Sequence, residues 1–325
     1  MKRFDVTALG ELLIDFTDSG ESEHGNRLLE ANPGGAPCNV LAMLQKLGKQ
    51  TAFLGKVGQD AFGDLLEQTL QEAGICTGGL RRDTRVHTTL AFVHTLSGGE
   101  RSFSFYRNPG TDVCLAAEEL DEELLESCRI FHFGSLSLTD EPCREATRAA
   151  VHKAKKAGAL ISFDPNLRES LWDSLDRARE EIAWGLSRCD VLKISDNEVE
   201  FMTGTGDIER GASLLLEQYP QIRLLSVTAG ENGSLACYQG MRCRVPVFTV
   251  PAVEKTGAGD TFCACVLNEV LEHGLENLQM QDLEEMLTFA SAAAALVIQR
   301  KGALKVMPRR EEIVELLRQH GKDVR

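Results

Sequence analysis

The sequence predicts an α/β protein built on one mostly parallel β-sheet, with helices on both faces and a small β-flap at the sheet's edge. Short apolar runs rich in β-branched residues alternate with segments of helical periodicity, a pattern typical of parallel strands joined by crossover helices. Polar, glycine-rich turns follow several of these runs, as expected for a ligand site at the carboxyl end of such a sheet. A different pattern surrounds Ser97-Gly98-Gly99, where alternating polar and apolar residues on both sides predict a hairpin.

The individual elements follow from these patterns. The predicted strands are Phe4–Ile14, Thr51–Lys56, Arg129–Phe133, Ala159–Phe163, Val191–Ile194 and Leu224–Val227. The predicted helices include Cys38–Leu47, Ala61–Ala73, Glu141–Lys156 and Thr261–Leu271. The hairpin would pair Thr88–Thr95 with Arg101–Arg107 and, with the segment around Asp15–Ala31, would form a lid. We therefore expect a single domain spanning residues 1–325, with lid segments at approximately residues 12–32 and 87–110.

Composition restricts the class of partner and the compartment. The 325 residues carry a formal charge of −14, which argues against binding to nucleic acid or to an anionic membrane surface. Acidic residues interrupt the apolar start of the chain, so no signal peptide is expected, and the longest apolar run, Ala290–Ile298, is too short to cross a bilayer. Ten cysteines, none in a Cys-x-x-Cys pair, fit small buried side chains in a reducing compartment. We predict a cytoplasmic protein.

Three familiar site motifs are missing from the sequence. No Gly-x-Gly-x-x-Gly follows the first strand, which disfavours a dinucleotide-dependent dehydrogenase. No Gly-x-x-x-x-Gly-Lys-Ser/Thr occurs, which excludes a Walker-type nucleotide site. No cluster of histidine and cysteine has the spacing of a zinc site.

The segment Val253–Phe262 is the most informative stretch of the chain. Glycines and small residues precede Asp260, and an apolar helix then begins. A helix start of this kind combines unpaired backbone N–H groups with the positive end of the helix dipole, and it therefore attracts an anion. A carboxylate beside such an anion hole can remove a proton from a hydroxyl while the hole holds a phosphoryl group. An ordinary helix start with an acid in its first turn fits the same residues.

With these motifs the chain resembles the ribokinase/fructokinase superfamily of sugar kinases, and bacterial fructokinases most closely. The resemblance covers essentially the whole sequence and implies a ribokinase-like three-layer sandwich with a small β-sheet lid. The segments that carry it are Ala8–Asp15, Pro33–Val40, Phe105–Pro109, Phe163–Arg168 and Thr256–Asp260. Relatives in this superfamily often dimerise through the lid, so a homodimer is an expectation as well.

The resemblance assigns roles to individual residues. It implies that Asp260 is the catalytic base, that Gly257, Ala258 and Gly259 form the anion hole, and that Arg168 adds positive charge. The residues that it places at the sugar are Asp15, Gly34, Gly35, Asn39, Arg107, Asp164 and Asn166.

The resemblance also implies ATP as phosphoryl donor with Mg²⁺ bridging its phosphates. The nucleotide-binding residues would be Lys193, Ser195, Glu198, Thr228, Gly230, Gly233 and Ser291, with Glu198 holding Mg²⁺ through water. A monovalent-cation site would involve position 254, Thr256 and Gly302. Members of the family usually carry Asp-Thr where this chain has Glu254-Lys255, so we expect a weaker K⁺ site.

The predicted reaction is the phosphorylation of a small sugar by ATP, with D-fructose giving D-fructose 6-phosphate. A 2-keto-3-deoxygluconate kinase shares the Asp164–Arg168 segment, and an aminoimidazole riboside kinase shares the di-glycine segment, so both remain alternatives. From a different class, a catalytically inactive fructokinase-like regulatory protein is an alternative that the intact Gly-Ala-Gly-Asp motif disfavours.

Overall fold

The computed structural model describes residues 2–95 and 101–322. The strands of these residues are β1 Phe4–Leu9, β2 Leu13–Glu21, β3 Arg27–Gly34, β4 Thr51–Gly58, β5 Cys76–Asp83, β6 Leu90–Thr95, β7 Arg101–Tyr106, β8 Cys128–Gly134, β9 Leu160–Asp164, β10 Val191–Ser195, β11 Leu224–Thr228, β12 Ser234–Tyr238 and β13 Met241–Val245. The α-helices are α1 Ala36–Lys46, α2 Ala61–Glu72, α3 Glu122–Glu126, α4 Cys143–Lys156, α5 Leu175–Leu186, α6 Asp196–Thr203, α7 Ile208–Gln218, α8 Ala258–His273, α9 Met280–Val297 and α10 Arg310–Gln319.

Within the described residues, the strands form one nine-stranded sheet and one four-stranded sheet. The order of the large sheet is β13-β12-β11-β10-β9-β8-β1-β4-β5, and its strands are parallel from β5 to β11. The last two strands, β12 and β13, run antiparallel at the edge. The prediction of a mostly parallel sheet is confirmed. The sequence patterns missed β5, which starts with two glycines among its first four residues, and the short β12–β13 hairpin.

Helices cover both faces of the large sheet, as the sequence predicted. Helices α1, α2, α8, α9 and α10 pack on one face and contribute to one hydrophobic core. Helices α3 to α7 pack on the other face around a second core. The inner parallel strands are buried from both sides and are therefore rich in apolar residues, whereas the edge strand β5 is only partly buried. The result is a three-layer sandwich.

The first predicted strand, Phe4–Ile14, is wrong as a single element. The chain leaves the large sheet after Leu9 and enters the small sheet at Leu13, where the amide of Ile14 donates to the carbonyl of Thr89 at 3.2 Å. Gly10 lies at the break, and a Cβ atom there would stand 2.6 Å from Cγ of Pro37, so α1 packs directly on this turn. The apolar pattern runs through the break because β1 and the first two residues of β2 are buried.

The small sheet has the order β3-β2-β6-β7 and is built from the segments around the predicted hairpin. Strands β6 and β7 pair antiparallel, so the hairpin prediction is confirmed, while its turn at Ser97-Gly98-Gly99 lies outside the described residues.

All ten cysteines are free thiols, eight of them buried. Among the described residues, no helix has the length and apolar character needed to span a membrane.

Candidate active site

A cavity of about 270 Å³ lies at the carboxyl end of the parallel strands, under the small sheet. In the large sheet, β4 and β5 lie on one side of β1, and β8 to β11 lie on its other side. Ligands of open α/β sheets bind at this reversal of strand order, since the loops after the two central strands diverge there. The cavity wall combines the turn after β1, the start of α1, the turn after β9 and the start of α8.

The start of α8 presents backbone donors to this cavity. Gly257 is the N-cap and adopts the left-handed conformation with φ of 80°, and it has no side chain that could accept from the first-turn amides. The amide of Ala258 makes only a 3.4 Å hydrogen bond to the carbonyl of Lys255. The first amides of a helix have no partner within the helix, so they can bind an anion.

Asp260 lies in the first turn of α8 and is buried. Its Oδ2 accepts a 2.7 Å hydrogen bond from Nδ2 of Asn39, and its Oδ1 accepts a 3.4 Å bond from Nδ2 of Asn166. Burial raises the pKa of Asp260, while the Asn39 hydrogen bond and the charges of Lys193 and Arg168 act in the opposite direction. The structure thus holds a carboxylate in a fixed orientation, with increased basicity, at the mouth of the anion hole.

The turn after β9 brings two predicted residues to the cavity. Asn166 has a positive φ of 49°, a conformation that asparagine tolerates better than most residues and that turns its amide towards Asp260. Arg168 follows two residues later, lines the cavity and donates to the carbonyl of Leu167 at 3.1 Å. Both residues therefore lie at the cavity that also contains Asp260.

A buried ion pair lies beside the anion hole. Nζ of Lys193 is 3.0 Å from Oδ2 of Asp164, and both side chains are almost completely buried. The acids around Lys193 raise the pKa of its ammonium, so it remains charged. A Cβ atom on Gly259 would stand 2.9 Å from this Nζ, so the absence of a side chain on Gly259 lets the ammonium approach the start of α8.

The di-glycine segment joins the small sheet to α1 at the wall of the cavity. Asp15 on β2 lines the cavity, and its Oδ2 would be 2.7 Å from a Cβ on Gly34, so glycine makes room for the carboxylate. Gly35 precedes α1, whose buried Asn39 donates to the Asp260 carboxylate. Four of the predicted sugar residues, namely Asp15, Gly35, Asn39 and Asn166, line one cavity with Asp260.

Glu11 also lines this cavity, and the sequence motifs did not single out its side chain. It is 4% exposed, and its Oε1 accepts a 2.6 Å hydrogen bond from the amide of Ala36. Burial raises the pKa of Glu11 to about 7, and the charges of Asp112 and Asp260 add to this effect. The signal in the sequence was an acid directly after the first strand, flanked by residues that are otherwise apolar.

Arg107 does not line this cavity. Its guanidinium lies 2.7 Å from Oδ2 of Asp112 and donates to the Thr139 hydroxyl and the Leu136 carbonyl, each at 2.9 Å. The side chain is 4% exposed. These contacts tie the residue after β7 to the loop after β8, so Arg107 connects the small sheet to the large one. The guanidinium is thus bound by groups of the protein itself.

The predicted nucleotide residues lie beyond Lys193, at the carboxyl ends of β10 and β11. Glu198 and Ser195 form a capping box at the start of α6, and the two oxygens of Glu198 accept from the amides of Leu167 and Ser195 at 2.7 and 2.8 Å. Like these two residues, the remaining predicted ones lie outside the cavity: Thr228 ends β11, Gly230 and Gly233 flank the following turn, and Ser291 is buried in α9.

Glu254 forms hydrogen bonds with the other two residues of the predicted K⁺ site, Thr256 and Gly302. Its Oε1 accepts a 2.8 Å hydrogen bond from the Thr256 hydroxyl, and its Oε2 accepts a 2.9 Å bond from the amide of Gly302. The carboxylate is buried and already engaged by an O–H and an N–H donor. These hydrogen bonds connect the loop before α8 to Gly302. A bound cation could make the same connection.

Comparison with known proteins identifies the family. The sequence matches the pfkB family carbohydrate kinase over residues 3–310. The probable fructokinase-2 of Arabidopsis thaliana is 42% identical over 316 residues, which cover 96% of this chain and 95% of that protein.

Two solved structures are similar to this one over almost their full length. The fructokinase of Xylella fastidiosa with bound ATP has a TM-score of 0.87 and 31% identity, and the match covers 99% of this chain and 100% of that one. The fructokinase of Vibrio cholerae O395 with fructose, ADP and calcium has a TM-score of 0.85 and 29% identity, with 97% and 99% covered. The resemblance inferred from the motifs is confirmed, and this chain belongs to the pfkB family of carbohydrate kinases.

Proposed function

We propose that this protein is an ATP-dependent fructokinase that converts D-fructose to D-fructose 6-phosphate. The observation that carries the proposal is the buried Asp260 carboxylate, held by Asn39 at 2.7 Å directly beside an uncapped helix start. This arrangement suits transfer of a phosphoryl group to a hydroxyl. The fructokinase names of the similar proteins, over nearly their whole length, support fructose over the keto-acid and riboside alternatives.

In the proposed mechanism, the primary hydroxyl on C6 of fructose attacks the γ-phosphorus of ATP. Asp260 takes the hydroxyl proton as the new O–P bond forms, and the bond to the β-phosphate oxygen breaks to release ADP. The raised pKa of Asp260 makes it a stronger base than an exposed aspartate. Asn39 and Asn166 both donate to this carboxylate and therefore keep it aimed at the acceptor.

The negative charge on the transferring group would be stabilised from two sides. The first amides of α8 donate hydrogen bonds at fixed positions, and the Lys193 ammonium lies next to Gly259 in the same helix start. Arg168 lines the cavity and adds a second cation. Donors that are already in place need no reorganisation during the reaction, which is the main advantage of such a site.

The residues near Lys193 fit a magnesium ion held through water. Within the described residues, no group of three or more histidine, cysteine, aspartate or glutamate side chains forms a metal cage. Glu198 uses one lone pair of each oxygen for a backbone amide and retains others for water. Mg²⁺ keeps much of its water shell, and when bound with ATP it would neutralise the phosphate charges.

Further proposals concern the potassium site, the oligomeric state and the compartment. We infer that the Glu254 carboxylate replaces a bound K⁺ in holding the loop before α8.

The small sheet exposes Tyr106, Leu28 and Leu29, which are 67%, 45% and 39% exposed, and we propose that it pairs with the small sheet of a second copy. Ten free thiols suit a reducing compartment such as the cytoplasm.

The test of the proposed function is an ADP-forming assay with ATP and Mg²⁺ over a panel of acceptors. The panel contains fructose, glucose, ribose, 2-keto-3-deoxygluconate and aminoimidazole riboside. We expect the highest kcat/KM for fructose, because a site built on hydroxyl hydrogen bonds rejects analogues that leave its buried groups unpaired. A higher kcat/KM for another acceptor would change the substrate, and no ADP formation with any of them would refute the kinase activity.

A further inference from the structure

We propose that a groove between α4 and α5 is a second binding site, which takes a small anion that carries a phosphate group. The groove has a volume of about 460 Å³ and is lined by one indole, Trp184, and by five basic side chains, Arg148, His152, Lys155, Lys156 and Arg188. Among the described residues, no acidic side chain lines it. The inference goes beyond the proposed function and does not depend on it, because the groove shares no lining residue with the cavity around Asp260.

The positive charge of this groove contrasts with the composition of the whole chain, which has 49 acidic and 35 basic residues. Arg148, His152 and Lys156 follow one another at intervals of four residues along α4, so they lie on one face of this helix. Like charges at this spacing destabilise a helix. The negative end of the helix dipole favours the lysines of the last turn, but it does not account for Arg148 and His152 further back on the same face. A bound anion would offset the repulsion along the whole face.

Trp184 positions two guanidinium groups in the groove. Cζ of Arg148 lies over the indole, 5.2 Å from the ring centroid, and Cζ of Arg188 lies 6.0 Å from the same ring. An edge contact with the buried Phe133, with ring centroids 6.0 Å apart, holds the indole from the core side. The planar fork of an arginine can donate two parallel hydrogen bonds to a phosphate. A guanidinium that is already oriented loses less conformational freedom when the anion binds.

Two of the five basic side chains are paired with acids behind the groove. Nη2 of Arg148 lies 2.7 Å from Oε2 of Glu181, which is 1% exposed, and Nζ of Lys155 lies 3.7 Å from Oδ1 of Asp190. Lys155 also donates to the carbonyl of Arg188 at 2.9 Å and so connects the end of α4 to the end of α5. These contacts hold the wall of the groove in place.

The other three basic side chains are exposed and are not neutralised by the protein. Across residues 2–95 and 101–322, no acid forms an ion pair with His152, Lys156 or Arg188. Lys156 and Arg188 therefore contribute two uncompensated positive charges, and the histidine lies beside them as a further donor. A phosphate ester carries about −1.5 to −2 charges at neutral pH and has three acceptor oxygens. It therefore matches the groove in charge and in number of hydrogen bonds better than a single carboxylate does.

Trp184 provides a direct readout of binding in the full-length protein. The chain has two tryptophans, so Trp172→Phe leaves Trp184 as the only source of tryptophan fluorescence. We would titrate this protein with inorganic phosphate, fructose 6-phosphate and fructose 1,6-bisphosphate, and compare each titration with NaCl at equal ionic strength. We expect a saturable change in emission with a Kd of about 1 mM or lower for at least one phosphate, and no saturable change with NaCl.

Two variants in the Trp172→Phe protein assign the binding to the groove. Lys156→Gln and Arg188→Gln each remove one uncompensated charge, and we expect each to raise the Kd by about tenfold. The matched control is Arg179→Gln on α5. Arg179 also lies over an aromatic ring, with its Cζ 4.6 Å from the Phe201 centroid, but it does not line the groove, so the Kd should be unchanged.

A response that follows ionic strength alone, or an unchanged Kd in both groove variants, would overturn the proposal. Equal Kd values for the three phosphates would assign the phosphate group itself as the ligand, and tighter binding of the bisphosphate would assign room for two phosphates; both results support the site. If Trp172→Phe does not fold, isothermal titration calorimetry with the wild type and the same two groove variants makes the same comparison. The test does not use turnover of fructose, so a failure of this proposal and a failure of the proposed function are distinguishable.

Discussion

Asp260 is a carboxylate whose surroundings act on its pKa in opposite directions. Burial raises the pKa, and the hydrogen bond from Asn39 and the nearby cations limit that rise. The balance suits a base that must be ionised before the reaction and must accept a proton during it. Activity should therefore be present above this raised pKa and should be lost as the pH falls through it.

The Asp260→Asn variant should lose turnover and keep its fold. Asparagine can still accept from Asn39, but it cannot take a proton, and a positioned general base contributes ~10²–10⁴ in rate. Because burial raises the pKa of Asp260, its ionisation opposes folding at neutral pH, so the variant should be at least as stable as the wild type. The measurements are kcat and the melting temperature. A kcat above about a tenth of the wild-type value would contradict the role as base.

Arg107→Ala should reduce stability rather than remove one sugar contact. The guanidinium is buried against Asp112, and breaking such a pair leaves an uncompensated charge that costs ~3–5 kcal/mol. Urea unfolding of the variant measures this loss. Arg81→Ala provides a comparison, since Arg81 donates to the carbonyls of Glu119 and Gly78 without a buried ion pair. A large rise in KM for fructose with unchanged stability would instead show that Arg107 contacts the sugar.

Glu11 and Arg107 show what sequence motifs can and cannot indicate about a single residue. Motifs indicate which residues lie after strands, and this was sufficient to bring Asp15, Asn39 and Asp260 to one cavity. They do not indicate the direction of a long side chain. Arg107 donates to Leu136 and Thr139, about 30 residues later in the chain, and Glu11 turns inward to cap α1. Both directions depend on tertiary contacts that periodicity does not encode.

At the level of secondary structure elements, the start of α8 depends on a close approach between Gly259 and Lys193. We expect Gly259→Ala to lower kcat/KM by at least about tenfold, because the new methyl group displaces the ammonium from the anion hole. The end of a lysine side chain can move, so stability should change little. The control is Gly78→Ala on β5, where the nearest atom to the new Cβ would be 3.7 Å away. Wild-type kcat/KM in Gly259→Ala would show that Lys193 does not act at this position.

A separate prediction concerns the activation of the enzyme by potassium, and it depends on the loop before α8. Because Glu254 already joins Thr256 and Gly302, we expect less than about tenfold activation by KCl over tetramethylammonium chloride at equal ionic strength, or under ~1.4 kcal/mol. Glu254→Gln should weaken the loop, since the amide can accept from only one of the two donors. A K⁺-specific activation of tenfold or more in the wild type would contradict this account.

The elements themselves were largely predictable because hydrophobic periodicity reports burial. The parallel strands β8 to β11 and helices such as α4 appear close to their predicted positions. The failures have physical causes as well. Continuous burial conceals the break between β1 and β2, and glycines at the start of β5 remove the signal of a strand.

In the whole molecule, the site lies where three parts of the fold meet. The large sheet supplies the turns after β1 and β9, α8 supplies the anion hole, and the small sheet supplies Asp15 and Phe105 to the cavity wall. Arg107, which follows β7 of the small sheet, donates to Leu136 and Thr139 in the loop after β8 and so connects the small sheet to the large one. A small sheet over the cavity can exclude water, which would otherwise compete with the sugar for the phosphoryl group.

The most direct test of the account is the identity of the product. We would incubate the protein with ATP, Mg²⁺ and D-fructose and follow the reaction by ³¹P NMR, with Asp260→Asn as the matched control. The account predicts that wild-type protein forms fructose 6-phosphate and ADP in equal amounts, and that the variant forms almost none. Release of ADP with inorganic phosphate, phosphorylation at another hydroxyl, or equal rates for the two proteins would contradict it.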